Sequence, residues 1–287
     1  MLGSPIAHSL SPVLHTAAYR ELGLAGWSYQ AIECDEAGLP ALLDSLGPQW
    51  AGLSLTMPLK RAVLPLLDSA DPLVAQTGGA NTVVLADGAR RGYNTDVPGM
   101  ITALAEAGAD PAGPVLVLGG GATACSALVA LRQAGAQDVT AAVRSQATAS
   151  PLLAVAGRLG VPIRLVPFGP GPDRAEWLAG QRGRQWPLLL STVPAGAADG
   201  HAELLASGEI AARTVFDVVY HPWPTPLAAA AQLAGVAVIS GFELLLHQAA
   251  EQVQLMTGRP APVGAMRTAG LAAVATRSGH QAAERAR

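Results

Sequence analysis

Val115-Leu116-Val117-Leu118-Gly119-Gly120-Gly121-Ala122-Thr123-Ala124-Cys125 decides the architecture of this chain. Four consecutive apolar residues read as a strand buried on both faces. The glycines that follow read as a tight turn, and Cys125 to Ala134 as a helix. Val139 to Val143 is predicted as the next strand, with further strands at Leu188–Leu190, Thr214–Val219 and Val236–Ile239. Such alternation of strand and helix predicts a parallel, doubly wound sheet. The turn also fits the dinucleotide fingerprint as Gly119-x-Gly121-x-x-Ala124. The first glycine makes the turn, and the second lets the backbone approach a pyrophosphate seated on the helix N-terminus. A bare match is weak because Gly-rich turns are common. Here a strand precedes it and a helix follows, which is the context the fingerprint requires.

The end of the next strand selects the nucleotide. An NAD site places Asp or Glu there for the ribose 2′-hydroxyl. This chain has Val143-Arg144-Ser145. Arg144, with Ser145 helping, suits a 2′-phosphate and therefore NADP; a solvated arginine after a strand is the plainer alternative.

Upstream, the first hundred residues also alternate. Ser11-Pro12 predicts a helix start, with a capping hydroxyl and then proline at the first helical position. Strands are predicted at Trp27–Ile32 and Ala51–Leu55, and helices at Leu39–Leu46 and Arg61–Leu67. Asn81–Leu85 and Arg91–Asn94 read as strands joined through Asp87-Gly88, a hairpin signal. A helix from Val97 to Ala107 leads into the dinucleotide unit, and one from Phe242 to Thr257 is long enough to return to the first domain.

Bulk properties exclude several classes. The 287 residues carry a net charge of −3 and no basic run, which argues against nucleic acid or an anionic membrane surface as partner. Charged residues make up only 14%, against roughly 25% in an average soluble protein, and the mean hydropathy is +0.32. The uncharged stretches 111–131 and 222–242 are interrupted by glycine and proline, so each reads as strand, turn and helix rather than a membrane span. The start lacks a signal-peptide pattern. Cys34 and Cys125 have no metal or redox spacing, which points to the reducing cytosol. His8 and His15, seven apart without nearby cysteines or clustered acids, do not read as a metal pair, so no metal is expected.

Lys60 is the only lysine among 18 lysine and arginine residues. It follows an apolar strand and a turn at Pro58 in Gly52-Leu53-Ser54-Leu55-Thr56-Met57-Pro58-Leu59-Lys60. A lysine ammonium is compact and can release its proton, whereas arginine cannot. Asp96, in Asn94-Thr95-Asp96, is either a helix cap or a partner that holds this ammonium in a cleft between the units. Ser9 and Ser11 sit at a helix start, as caps or as a carboxylate site.

In this order the motifs resemble the shikimate dehydrogenase family. The resemblance spans nearly the whole chain. Gly3-Ser4-Pro5-Ile6-Ala7-His8-Ser9-Leu10-Ser11-Pro12 is similar to the family's opening, and Leu53 to Lys60 to its lysine turn. Gly79-Ala80-Asn81-Thr82, Gly92 to Asp96, Ser191 to Gly196, Asp217 to Tyr220 with Thr225-Pro226-Leu227, and Gln248 follow in family order. The resemblance implies reversible, NADPH-dependent reduction of 3-dehydroshikimate to shikimate in aromatic amino-acid biosynthesis, by a cytoplasmic monomer or homodimer. It implies Lys60 and Asp96 as catalytic residues, and Ser9, Ser11 and Tyr220 on the substrate carboxylate. Thr56, Asn81 and Gln248 would take ring hydroxyls. Gly119, Gly120, Gly121, Ala122, Thr123, Ala124, Arg144, Ser145, Thr192, Val193, Val218 and Gly241 would hold NADP, with the site closing between two domains. Residues 1–97, completed by 242–275, would form the substrate domain, residues 98–241 the Rossmann-type NADP domain, and 276–287 a frayed tail. A quinate or aminoshikimate dehydrogenase, or a non-catalytic nucleotide sensor, is the competing reading; paired serines at 9 and 11 favour shikimate over quinate. The chain departs from the family pattern in its short stretch before Gly3, at Val143, at Glu243 where glycine is usual, and in Ser191-Thr192-Val193, where an asparagine-containing form is usual. The last two bear on cofactor geometry.

Overall fold

The computed structural model describes residues 1–285 apart from His8 and Arg182, with side-chain surroundings as far as Arg277. Two compact units divide the chain: Met1–Gly99 together with Leu245–Arg287, and Met100–Leu244.

The first unit opens with β1 (Leu2–Gly3), α1 (Ser11–Glu21), β2 (Ile32–Glu33), α2 (Leu39–Ser45), β3 (Gly52–Ser54) and α3 (Leu59–Ala62). A 3-10 turn at Leu64–Leu66, β4 (Ser69–Ala70), α4 (Pro72–Thr77), β5 (Thr82–Ala86), β6 (Ala89–Tyr93) and the start of α5 (Asp96–Glu106) follow. β1 and β2 pair in parallel, and a bridge from Leu2 to Leu55 ties β1 to the end of β3. The remaining strands form a sheet in the order β3-β5-β6-β4. Its hairpin turns at Asp87 (φ 55°) and Gly88 (φ 75°), the two left-handed residues that a type I′ turn demands. Leu2, Leu39, Leu53, Leu55, Leu59 and Val83 build the core beneath these strands.

Two local expectations fail here for physical reasons. Of the strand expected over Trp27–Ile32, only Ile32 is in a strand. The aromatic side chains of the segment pack on α1 instead: the Tyr29 ring stacks on His15 at 4.0 Å, and Trp27 lies 5.4 Å from the Tyr19 ring. The helix expected over Arg61–Leu67 breaks into α3 and the 3-10 turn, because Pro65 has no N–H and its ring crowds the carbonyl four residues back.

The second unit contains β7 (Pro114–Leu118), α6 (Ala122–Gln133), β8 (Asp138–Val143), α7 (Gln146–Leu159), β9 (Ile163–Pro167) and α8 (Pro172–Ala179). It continues through β10 (Gln185–Ser191), α9 (Asp199–Ala206), β11 (Ala211–Asp217), α10 (Pro226–Leu233) and β12 (Ala237–Ser240). Every pairing is parallel, in the order β12-β11-β10-β7-β8-β9. The chain thus enters at the centre, winds to one edge, and returns to wind to the other, which is the doubly wound Rossmann order. Val115 to Leu118 are fully buried, as a strand covered by helices on both faces must be.

The chain ends in α11 (Gly241–Thr257) and α12 (Val263–Arg285). α12 takes in residues 276–285 of the expected tail, and Ala286 and Arg287 lie outside the described residues. Among the described residues, no helix is long and apolar enough to cross a membrane.

At the junction of β12 and α11, a Cβ added to Gly241 would lie 2.1 Å from the Val218 carbonyl oxygen, while one added to Gly121 meets nothing within 4 Å. Gly241→Ala is therefore expected to destabilise the protein by about 1–3 kcal/mol. Gly121→Ala should leave the thermal midpoint nearly unchanged. Equal midpoints for the two variants would contradict the close approach.

Candidate active site

The turn between β3 and α3 delivers Lys60. Leu59 N–H donates to the Thr56 carbonyl at 2.8 Å, and Thr56 N–H donates to the Leu2 carbonyl at 2.9 Å, so the turn is anchored to β1. Lys60 Nζ reaches Asp96 Oδ2 at 2.5 Å, and the two side chains are only 14% and 7% exposed. Asp96 is the first residue of α5, where the helix dipole favours a carboxylate. Of the two readings of Asp96, the structure shows the pair with Lys60.

Asn81 holds the other carboxylate oxygen. Its Nδ2 donates to Asp96 Oδ1 at 2.8 Å and to Thr95 Oγ1 at 2.9 Å. Its Oδ1 accepts from Thr95 N–H at 2.8 Å. That backbone group can only donate, so the amide orientation is fixed. Gln248 Oε1 stands 3.5 Å from Asn81 Nδ2, while its own Nε2 donates to the Leu245 carbonyl. Gly99 makes this approach of α5 to α11 possible: a Cβ there would lie 2.7 Å from Gln248 N. Thr56 is half-buried on the lysine turn.

The serine motif differs from its sequence reading. Leu10, not Ser11, occupies the N-cap of α1, and no side chain caps it. Ser11 is the first helical residue, and its hydroxyl is buried without a hydrogen bond of good geometry. Ser9 Oγ accepts from Ser11 N–H at 3.2 Å. Arg277 Nη2 donates to the Ser9 carbonyl at 3.3 Å. His8 lies outside the described residues, and His15 is engaged in the core by Tyr19, Tyr29 and Gln252.

In the second unit the glycine turn follows β7. Gly119 adopts φ 111°, and a Cβ there would sit 2.6 Å from Thr192 Oγ1. Thr192 at the end of β10 donates through both N–H and Oγ1 to the Leu118 carbonyl, at 2.9 and 2.7 Å. A Cβ on Gly120 would lie 2.9 Å from the Thr148 carbonyl oxygen. Gly121 is the N-cap of α6, whose first residues are Ala122, Thr123 and Ala124, and no side chain caps this end. Arg144 is exposed after β8. Ser145 does not stand free beside it: its Oγ caps α7 by accepting from Thr148 N–H at 3.2 Å. Val193 and Tyr220 are partly buried. Val218 N–H donates to the Ser191 carbonyl. Asp217 is buried between these segments, accepting from Thr225 Oγ1 at 2.7 Å and Val219 N–H at 3.2 Å. Burial pushes its carboxyl above the usual range.

A family model described as the shikimate dehydrogenase substrate binding domain matches residues 1–83, and one described as the shikimate 5'-dehydrogenase C-terminal domain matches residues 241–269. A shikimate dehydrogenase (NADP(+)) of Moorella thermoacetica is 36% identical over 291 residues, covering 99% of this chain and 96% of the relative. The chain belongs to the shikimate dehydrogenase family. Among solved family structures, Mycobacterium tuberculosis shikimate dehydrogenase matches with a TM-score of 0.81 at 44% identity, covering 94% of this chain and 97% of that one. Shikimate 5-dehydrogenase of Thermus thermophilus, solved with NADP(H) and shikimate, matches with a TM-score of 0.79 at 33% identity, covering 95% and 97%.

Sequence reasoning gave no site role to Gln252, Thr82, Thr95, His15 or Ser54, which are buried polar residues joined by hydrogen bonds to Asn81 or Gln252. The one available signal was spacing: Gln252 lies four residues after Gln248, on the same face of α11.

His15 is fully buried, and desolvation pushes it down to about 3 from 6.5. Between those values the folded protein binds fewer protons here than the unfolded chain. Stability is therefore expected to be fully present above pH 6.5 and to fall as pH drops towards 3. His15→Gln should make the fall in thermal midpoint across that window shallower; parallel curves would count against a buried neutral imidazole.

Proposed function

We propose that the chain reduces 3-dehydroshikimate to shikimate with NADPH, and runs the reverse reaction with NADP. The Lys60–Asp96 pair carries this reading. NADPH, when bound, supplies the hydride. As hydride reaches the carbonyl carbon, negative charge develops on the carbonyl oxygen, and Lys60 Nζ donates to that oxygen and stabilises it. The Lys60–Asp96 pair furnishes the proton that completes the hydroxyl, and takes it back in the reverse direction. Asp96, held by Asn81, keeps the ammonium in one place.

Ser9 and Ser11 are assigned to the substrate carboxylate. The Ser11 hydroxyl supports this: it is buried with only the Tyr29 hydroxyl beside it and no hydrogen bond of good geometry, so a carboxylate oxygen would give it a better acceptor. Thr56, Asn81 and Gln248 are assigned to ring hydroxyls.

The second unit fits the cofactor. The open space at Gly121 and the uncapped N-terminus of α6 suit a pyrophosphate. Thr192, Val193, Val218 and Gly241 are assigned to the nicotinamide end. Arg144 is assigned to the 2′-phosphate with Ser145 helping, since the Ser145 Oγ accepts in the helix cap and the cap itself does not use the hydroxyl proton.

Steady-state assays of shikimate or quinate against NADP or NAD test the substrate. Shikimate with NADP should give the highest kcat/KM; any other best pair overturns the assignment. Lys60→Arg keeps the charge but loses the transferable proton. It is expected to lower kcat by about 10²-fold or more with NADP binding retained, and near-normal turnover would remove Lys60 from the proton path.

The cofactor preference has its own check. Arg144→Ala should raise KM for NADP by about tenfold or more, the worth of a charge-assisted hydrogen bond, and leave KM for NAD unchanged. Equal effects on both cofactors would place Arg144 away from the 2′-phosphate.

A further inference from the structure

Gln252, one turn along α11 from Gln248, is buried among polar partners on both sides of its amide. Its Oε1 accepts from Ser54 Oγ at 2.8 Å and faces His15 Nε2 at 3.2 Å. Its Nε2 donates to Thr82 Oγ1 at 3.0 Å and faces the Asn81 backbone carbonyl at 3.5 Å. A backbone carbonyl can only accept, which sets the nitrogen on that side. Thr82 Oγ1 then has its own proton free for Asn81 Oδ1 at 2.9 Å. Asn81 in turn donates to Asp96 Oδ1. On the far side, His15 donates through Nε2 and accepts at Nδ1 from Tyr19 OH at 3.3 Å, while Tyr29 OH donates to Ser54 at 2.7 Å. Every donor therefore points the same way. The series runs from Tyr19 through His15, Gln252, Thr82 and Asn81 and ends on the Asp96 carboxylate, which can only accept.

We propose that Gln252 is a positioning residue: it sets the direction of a hydrogen-bond series that ends on Asp96 and thereby holds that carboxylate against Lys60. The inference rests on the reading of Lys60 and Asp96 as the catalytic pair. Gln252 contacts neither of them directly. It acts through Thr82 and Asn81, since a reversed Thr82 hydroxyl would leave Asn81 Oδ1 held by Thr95 alone and loosen, without reversing, the amide that donates to Asp96. The titratable groups along the series are His15 and Tyr19 on α1, Tyr29 before β2, Lys60 on α3 and Asp96 on α5, with the Met1 amino group near His15.

Two variants of the full-length enzyme test this. Gln252→Met keeps length and removes both polar ends. It should lower kcat for shikimate oxidation by tenfold or more and change the kcat–pH profile, with KM for NADP unchanged. Gln252→Glu is the more specific probe. Protonated, the introduced carboxyl can accept from Ser54 and donate to Thr82; ionised, it cannot donate. Its activity should match wild type at low pH and fall with rising pH along a limb that neither wild type nor Gln252→Met shows. A folded Gln252→Met with wild-type kcat and pH profile overturns the proposal. So does Gln252→Glu without the extra limb, which remains decisive if the methionine variant fails to fold. If Lys60→Arg is inactive while both Gln252 variants behave as wild type, only the positioning role fails; if Lys60→Arg stays active, the reading of the pair itself fails.

Discussion

A single ion pair, Lys60 with Asp96, sets the demands that the first unit meets. Both side chains are largely withdrawn from water. Taking two charges out of water costs several kcal/mol per ion, and their attraction repays this only when the remaining lone pairs are satisfied. Asp96 has one oxygen on Lys60 and the other on Asn81. Asn81 is itself held by Thr82 and Thr95. The pair thus draws buried polar residues from β5, the loop before α5, and α11 into one cluster. The last of these elements is contributed by the end of the chain. That explains why the first unit includes residues from Leu245 onward: without α11, Gln248 and Gln252 would be missing from this cluster.

The second unit solves a different problem by different means. It presents backbone rather than side chains. Gly119 and Gly241 are needed because neighbouring backbone or Thr192 occupies the space of a side chain, whereas Gly121 leaves space open above an uncapped helix end. At the end of β11, buried Asp217 holds Thr225 Oγ1 and Val219 N–H. These bonds shape the segment from Val218 to Tyr220 from within.

Legibility in the sequence followed the same division. The dinucleotide unit was readable because its strands are long, apolar and buried on both faces, so that Val115–Leu118 could be little else. The first unit was harder. Strands of two or three residues, such as β1, β2 and β4, carry too little pattern to be seen. Trp27 to Ile32 reads as a strand in the sequence, but only Ile32 pairs, while Trp27 and Tyr29 pack on α1. Ser11 looked like a cap because the motif gives residue type and not dihedral angle. Lys60 and Asp96 could be singled out by composition and by position before a helix; that they meet depends on a sheet that places β3 beside β5. Gln252 carried no such mark, since one glutamine inside a helix reads as solvated until its neighbours are known.

The arrangement around Asp96 also accounts for the lone lysine. Seventeen other cationic positions in this chain accept arginine, so composition alone exerts no pressure for lysine. Arginine binds a carboxylate best through two parallel bonds, one to each oxygen. Here Oδ1 is already committed to Asn81, and only Oδ2 faces the cation. A planar fork would have to displace Asn81 or settle for one bond and leave other N–H groups unpaired in a nearly closed site. A compact ammonium needs one carboxylate oxygen, which on the proposed reading leaves its other protons for a substrate. The geometry that holds Asp96 in place therefore disfavours arginine on its own, and the proton transfer proposed for Lys60 would disfavour it a second time.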